Sequence, residues 1–203
     1  MTIQLYDFYL SGNSHKVRNL LSLLGVEHEL IDVDLLAGEQ RSQKFLALNP
    51  FAQVPVLVDG DVVVRDSSAI LVYLGRRFGH GEWLPLDAEG EAKVQEWLAT
   101  ASTDVANGPA FARLITVFGA NGDLAEAQER AHAVIERFEE HLADRSFLVS
   151  DTPTIADIAN YSYLALAPDG GVELDAYPNV RAWIERLAKR PGATPIPVKP
   201  GKE

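Results

Sequence analysis

The chain has 203 residues, a formal net charge of −11, 47% hydrophobic and 23% charged residues, and no cysteine. Such proportions belong to an ordinary globular protein long enough to bury a core, and the missing cysteines exclude disulfides and catalysis by a thiol of the protein itself. No apolar run approaches the ~18 residues of a membrane span, and the acidic balance disfavours nucleic acid and anionic membranes as partners.

The charge is unevenly spread. Residues 1–80 hold 7 Lys/Arg against 9 Asp/Glu, a balance of −2, and residues 81–203 hold 11 against 20, a balance of −9. The nearly neutral first part is the better host for an anionic ligand. The chain enters Ile3-Gln4-Leu5-Tyr6 without the basic region and apolar stretch of a secretory signal. A cytoplasmic protein is therefore expected.

In chain order, Ile3 to Phe8 reads as a first strand. Ser14 to Leu24 reads as a helix, with Val17, Leu20, Leu21 and Leu24 on one face, Ser14 as its cap and Gly25 as its stop. A second strand around Glu29–Val33 alternates poorly, and Arg41–Leu48 is a short helix ended by Asn49-Pro50. Val56–Val58 and Val62–Val64 flank Asp59-Gly60-Asp61, a hairpin signal. Ser67–Phe78 is a helix with Ile70, Leu71 and Leu74 inward. The order βαβαββα predicts a thioredoxin-like, mixed four-stranded sheet, with a parallel first pair and an antiparallel hairpin.

Gly79 to Pro85 reads as a linker, so the expected division is 1–80, a linker at 81–87, and an all-α part at 88–203. Val94, Trp97, Leu98, Ala101 and Val105 keep helical spacing, as do Leu124, Ala131, Val134, Ile135, Phe138 and Leu142. Thr154-Ile155-Ala156-Asp157 is a capping box and Pro178 opens a helix carrying Trp183, Ile184 and Leu187. Pro195, Pro197 and Pro200 suggest an extended strap.

Two residue pairs carry the functional signal. Pro55 cannot sit in a central strand, and Val54-Pro55 is a place where a cis peptide is cheap. A cis bond there turns the N–H and C=O of Val54 outward, toward an extended peptide. Asp66-Ser67 opens a helix whose unpaired N–H groups form an anion site. A backbone ladder beside a carboxylate cradle suits a short anionic peptide.

With these pairs the chain resembles the cytosolic glutathione transferase family over nearly its whole length. The resemblance implies that Val54, before Pro55, pairs with the cysteinyl backbone of glutathione, and that Asp66-Ser67 binds its γ-glutamyl end. Gln40 and Arg41 stand where relatives place groups for the glycine carboxylate, with Gln53 as a further donor. His15 departs from the family's aromatic and is expected at the surface. Phe51, expected to be exposed, could either plug a partner subunit or cover the sheet edge.

A redox fold of this kind would carry C-x-x-C at its first turn; here Ser11-Gly12-Asn13-Ser14 stands instead. A hydroxyl beside a helix N-terminus can donate a hydrogen bond to a thiolate brought by a ligand. Lowering a thiol pKa from about 8.5 by roughly two units needs about 2.7 kcal/mol. One charge-assisted hydrogen bond supplies about 1.5–3 kcal/mol and a helix N-terminus about 0.3–1. Ser11 lies six residues before Val17, as in serine-type relatives, and Asn13 matches some bacterial ones. Ser11 and Asn13 are therefore the expected catalytic residues, with Tyr9 the rival phenol.

The expected electrophile wall is Tyr9 with Thr103, Asn107, Phe111 and Arg113; helical spacing puts 103, 107 and 111 on one face. The resemblance implies a glutathione transferase with glutathione as co-substrate, a hydrophobic electrophile, no metal, and a homodimer. Alternatives are a glutathione-dependent peroxidase or disulfide reductase on the same site, and a non-catalytic interaction module.

Overall fold

A computed structural model of the chain describes residues 2–198. Four strands, β1 (Ile3–Asp7), β2 (His28–Asp32), β3 (Val56–Asp59) and β4 (Val62–Arg65), form one sheet in the order β2-β1-β3-β4. β1 and β2 run parallel, with Leu5 opposite Leu30, whereas β1–β3 and β3–β4 are antiparallel. The poor alternation of β2 has a simple cause. It is an edge strand, and Leu30 is half exposed.

Helices α1 (Gly12–Leu23) and α3 (Ser67–Phe78) pack together against the sheet through Val17, Leu20, Ile70, Leu71 and Leu74, all fully buried. α2 (Gln43–Leu48) follows a 3₁₀ turn, Glu39–Arg41, and is capped by Ser42, so the second helix starts two residues later than its spacing suggests. α1 starts two residues earlier than expected. Ser11 caps it by accepting the Ser14 N–H at 3.2 Å, and Ser14 is not the cap. Both serines suit the role, and only Ser11 has its oxygen on a first-turn N–H.

The second half is helical: α4 (Ala88–Ser102), α5 (Asp104–Asn107), α6 (Pro109–Phe118), α7 (Leu124–His141), α8 (Ile155–Ala165) and α9 (Pro178–Ala188). Breaks at Thr103 and Gly108 separate what reads in sequence as one long face. Gly108 has little room for a side chain, because a Cβ there would stand 3.0 Å from the Ala131 backbone of α7. α8 is buried along its length and packs on α1, α4 and α9. Its capping box is formed, and the Asp157 carboxylate also accepts from the Leu148 N–H at 3.0 Å and the Trp183 indole N–H at 2.9 Å.

Trp83 and Leu84, in the stretch between the halves, are buried, and the Trp83 carbonyl accepts from Ile155 N–H at 2.8 Å. His15 is not at the surface. It is fully buried in α1, its ring nitrogens 2.9 Å from Ser162 Oγ and 3.2 Å from the Thr194 carbonyl. The partners lie far away in sequence, in α8 and in the segment after α9, so nothing local announces them. Thr194 N–H donates to Asn19 Oδ1 at 2.8 Å, which ties that segment across α1. Pro195 and Pro197 lie in this irregular stretch, and Pro200 falls outside the described residues. Among the described residues no helix is long and apolar enough to cross a membrane.

Candidate active site

The β1–α1 turn is held from below. A buried ion pair joins Asp7 and Arg18, and Arg18 also donates to the Tyr9 carbonyl at 2.8 Å. Burial pushes the Asp7 carboxyl up, with Arg18 opposing. From above, Arg113 in α6 donates to the Leu10 carbonyl at 3.0 Å. The turn is thereby fixed by one cation from each half of the chain, and Ser11 sits at its end.

Ser11 is half-buried at the start of α1. Its oxygen accepts the Ser14 N–H, and its hydroxyl donates to no acceptor among the described residues, which leaves that proton for a ligand. Ser11 lines a cavity of about 220 Å³ whose walls are mostly apolar, among them Phe8, Leu35, Leu114 and Phe118, with Arg113 and Tyr163 as its other polar members. Gly12 is required beneath it, since a Cβ there would meet the Tyr163 ring at 2.7 Å. Burial raises the Tyr163 pKa, with Arg113 and the backbone N–H groups of Asn13 and Gly12 opposing. Tyr163 is therefore a neutral phenol.

Asn13 joins the two helix N-termini. Its Oδ1 accepts from Lys16 Nζ at 2.9 Å and from Ser67 Oγ at 3.4 Å. Lys16 is buried, its ammonium 5.1 Å from the centre of the Tyr163 ring, and burial lowers its pKa to about 8. Ser67, buried, is the first residue of α3, and Asp66 caps that helix by accepting the N–H groups of Ser68 and Ala69 at 2.9 and 3.1 Å. Asp66 holds φ +73°, ψ 129°, a conformation costly for a non-glycine residue and concentrated at ligand sites.

The Val54–Pro55 bond is cis, and Val54 lies outside the β1–β3 ladder, which reaches only to Val56. Gln53 is exposed, with its carbonyl accepting from Asn49 Nδ2 at 2.7 Å. Arg41 is exposed and makes no ion pair among the described residues. Gln40 instead turns inward, its Nε2 donating to the Leu35 carbonyl at 3.4 Å.

The structure thus brings Ser11, Asn13 and Ser67 together, with Asp66 beside them. It does not bring Tyr9, Asn107 or Phe111 to the cavity. Tyr9 is 54% exposed and its ring lies against Arg18. Asn107 borders a separate hollow with Asp104, Arg130 and Arg137. Phe111 stands toward Gly122, where an added Cβ would meet its ring at 2.6 Å. Thr103 and Asn107 still line that hollow together, while the break at Gly108 takes Phe111 off the shared face of 103, 107 and 111. The wall runs instead through Ala110, Arg113, Leu114 and Phe118, a helical spacing that the sequence shows once α6 is started at Pro109. No sequence signal marks Tyr163. No cluster of three or more His, Cys, Asp or Glu able to hold a metal occurs among the described residues.

A hydroxyl, a helix N-terminus and a mostly apolar cavity thus meet around one turn. Family models for the glutathione S-transferase N-terminal and C-terminal domains match residues 1–76 and 110–191. The chain is 35% identical to glutathione S-transferase 3 of Zea mays, covering 98% of this chain and 97% of that one. It superposes on a glutathione S-transferase from Pseudomonas fluorescens with a TM-score of 0.91 at 30% identity, covering 97% and 99%. A glutathione transferase homolog from Drosophila mojavensis, with bound glutathione, matches at TM-score 0.82 and 29% identity, covering 94% and 89%. The chain belongs to the cytosolic glutathione transferase family, a family of enzymes that transfer glutathione.

Proposed function

We propose that this enzyme seats glutathione between Val54 and the α3 N-terminus and lowers its thiol pKa with the Ser11 hydroxyl. The thiolate then attacks a hydrophobic electrophile held in the adjoining cavity. Asp66 and Ser67 receive the γ-glutamyl end, Val54 and Gln53 the cysteinyl backbone, and Arg41 the glycine carboxylate. One observation carries the reading: the Ser11 oxygen is engaged as a helix cap, and its proton, donated to no acceptor among the described residues, is left for a thiolate at the cavity it lines. Asn13, anchored through its oxygen, keeps its Nδ2 protons for the same anion.

Chloronitrobenzene conjugation tests this. With Ser11→Ala we expect kcat to fall about 10²-fold while the glutathione KM stays near its starting value, the scale of losing one preorganised donor. Because Ser11 also caps α1, Ser11→Asp, which keeps a capping acceptor but has no proton to donate, separates catalysis from stability. Unchanged turnover in both variants removes Ser11 from the role.

The working form we propose is a cytoplasmic homodimer. Phe51 is 60% exposed with the Arg65 guanidinium 4.2 Å from its ring centre, an apolar projection suited to a second copy. Light scattering should find a dimer that Phe51→Ala weakens; a monomer at all concentrations contradicts it.

A further inference from the structure

Arg113 is 2% exposed, yet one of its nitrogens is unaccounted for. Nε donates to Asp169 Oδ2 at 2.9 Å and Nη1 to the Leu10 carbonyl at 3.0 Å, while Nη2 is buried with no partner among the described residues. These two bonds suffice to clamp α6 onto the β1–α1 turn. They leave unexplained why a guanidinium, rather than a simpler donor, borders a mostly apolar cavity. A buried charged donor without a partner is unfavourable and calls for a group that completes it.

We propose that Arg113 is a specificity-determining residue of this cavity, selecting apolar electrophiles that carry a hydrogen-bond-accepting substituent. The inference rests on the reading of the cavity as the electrophile site. Its volume of about 220 Å³ exceeds the roughly 150 Å³ that accommodates a benzene ring, so one substituted ring fits. The aromatic part lies among Phe8, Leu114 and Phe118, and its nitro, carbonyl or carboxylate oxygen meets Nη2. Asp169 already offsets the guanidinium charge, which favours a neutral acceptor over a carboxylate. Phe118 stands 5.4 Å over the guanidinium and is itself 37% exposed. It is the wall that must tilt for the substituent to enter.

The test compares benzyl chloride, 4-nitrobenzyl chloride and 4-(chloromethyl)benzoate as electrophiles, each kcat/KM divided by the uncatalysed rate with glutathione. In each case the thiolate sulfur forms the new bond to the benzylic carbon and chloride leaves. The nitro compound should be preferred over the parent by about tenfold or more in the unaltered enzyme. Arg113→Gln should abolish that preference and Arg113→Lys retain part of it. Because Arg113 also clamps α6, unreactive toluene, nitrobenzene and benzoate are compared as inhibitors of the unaltered enzyme. Nitrobenzene should bind tightest. Equal preferences and equal inhibition overturn the inference, as does an Arg113→Gln variant that folds and slows all three electrophiles alike. Ser11→Ala should slow every electrophile without changing their ratio. Absent conjugation thus sinks the parent reading, and a flat ratio sinks only this one.

Discussion

Ser11 shows how one hydroxyl can be given two roles: its oxygen caps the start of a helix, and its hydrogen is the one we propose for a bound thiolate. The position is picked out by the family resemblance, in which the serine stands six residues before Val17. The capping role is harder to read, because Ser11 and Ser14 are both good caps. Lys16 carries no sequence signal at all. Its ammonium is buried with Asn13 as its one hydrogen-bond partner among the described residues, and burial drops its pKa to about 8. Desolvation outweighs the attraction of Asp66, so the folded chain holds this charge at a cost that an apolar side chain of similar length avoids. Lys16→Met should therefore raise stability by about 1–3 kcal/mol in denaturant unfolding, the scale of the pKa drop. The same change frees the Asn13 oxygen, so conjugation slows. A destabilised Lys16→Met variant contradicts this account of the buried charge.

At the level of elements, local pattern performs well where burial is one-sided and fails where distant groups decide. The hairpin at Asp59-Gly60-Asp61, α3 and the Thr154–Asp157 box appear as their spacing implies. The split of α4 to α6 does not, because Gly108 is dictated by the approach of Ala131 from α7. His15 fails for the same reason, its partners lying in α8 and beyond α9. That clasp makes a pH prediction. Burial lowers the His15 pKa from 6.5 to about 4, so the unfolded chain takes up the proton first as pH falls. The contribution is intact above about 6.5 and is lost progressively toward pH 4, by up to about 3 kcal/mol. Unfolding midpoints at about pH 7 and pH 5 should show a steeper loss for the unaltered protein than for His15→Gln. Equal slopes would place the ring nitrogens outside the titrating set.

Over the whole molecule, the fold class and the proposed glutathione seat rest on local residues, and the proposed electrophile cavity does not. Val54-Pro55 and Asp66-Ser67 belong to single turns whose backbone demands leave marks on residue choice. The cavity is assembled from β1, the loop after β2, α6 and α8, and only its packing defines it. Arg113 bridges these scales, fixing the turn that carries Ser11 while bordering the cavity from the helical half.

Titrating the thiolate absorbance of enzyme-bound glutathione tests the central claim most directly. The account predicts ionisation roughly two units below the free thiol's ~8.5, returning toward that value in Ser11→Ala. A bound thiol that titrates like free glutathione in the unaltered enzyme, or one whose pKa is indifferent to the loss of the Ser11 hydroxyl, contradicts it.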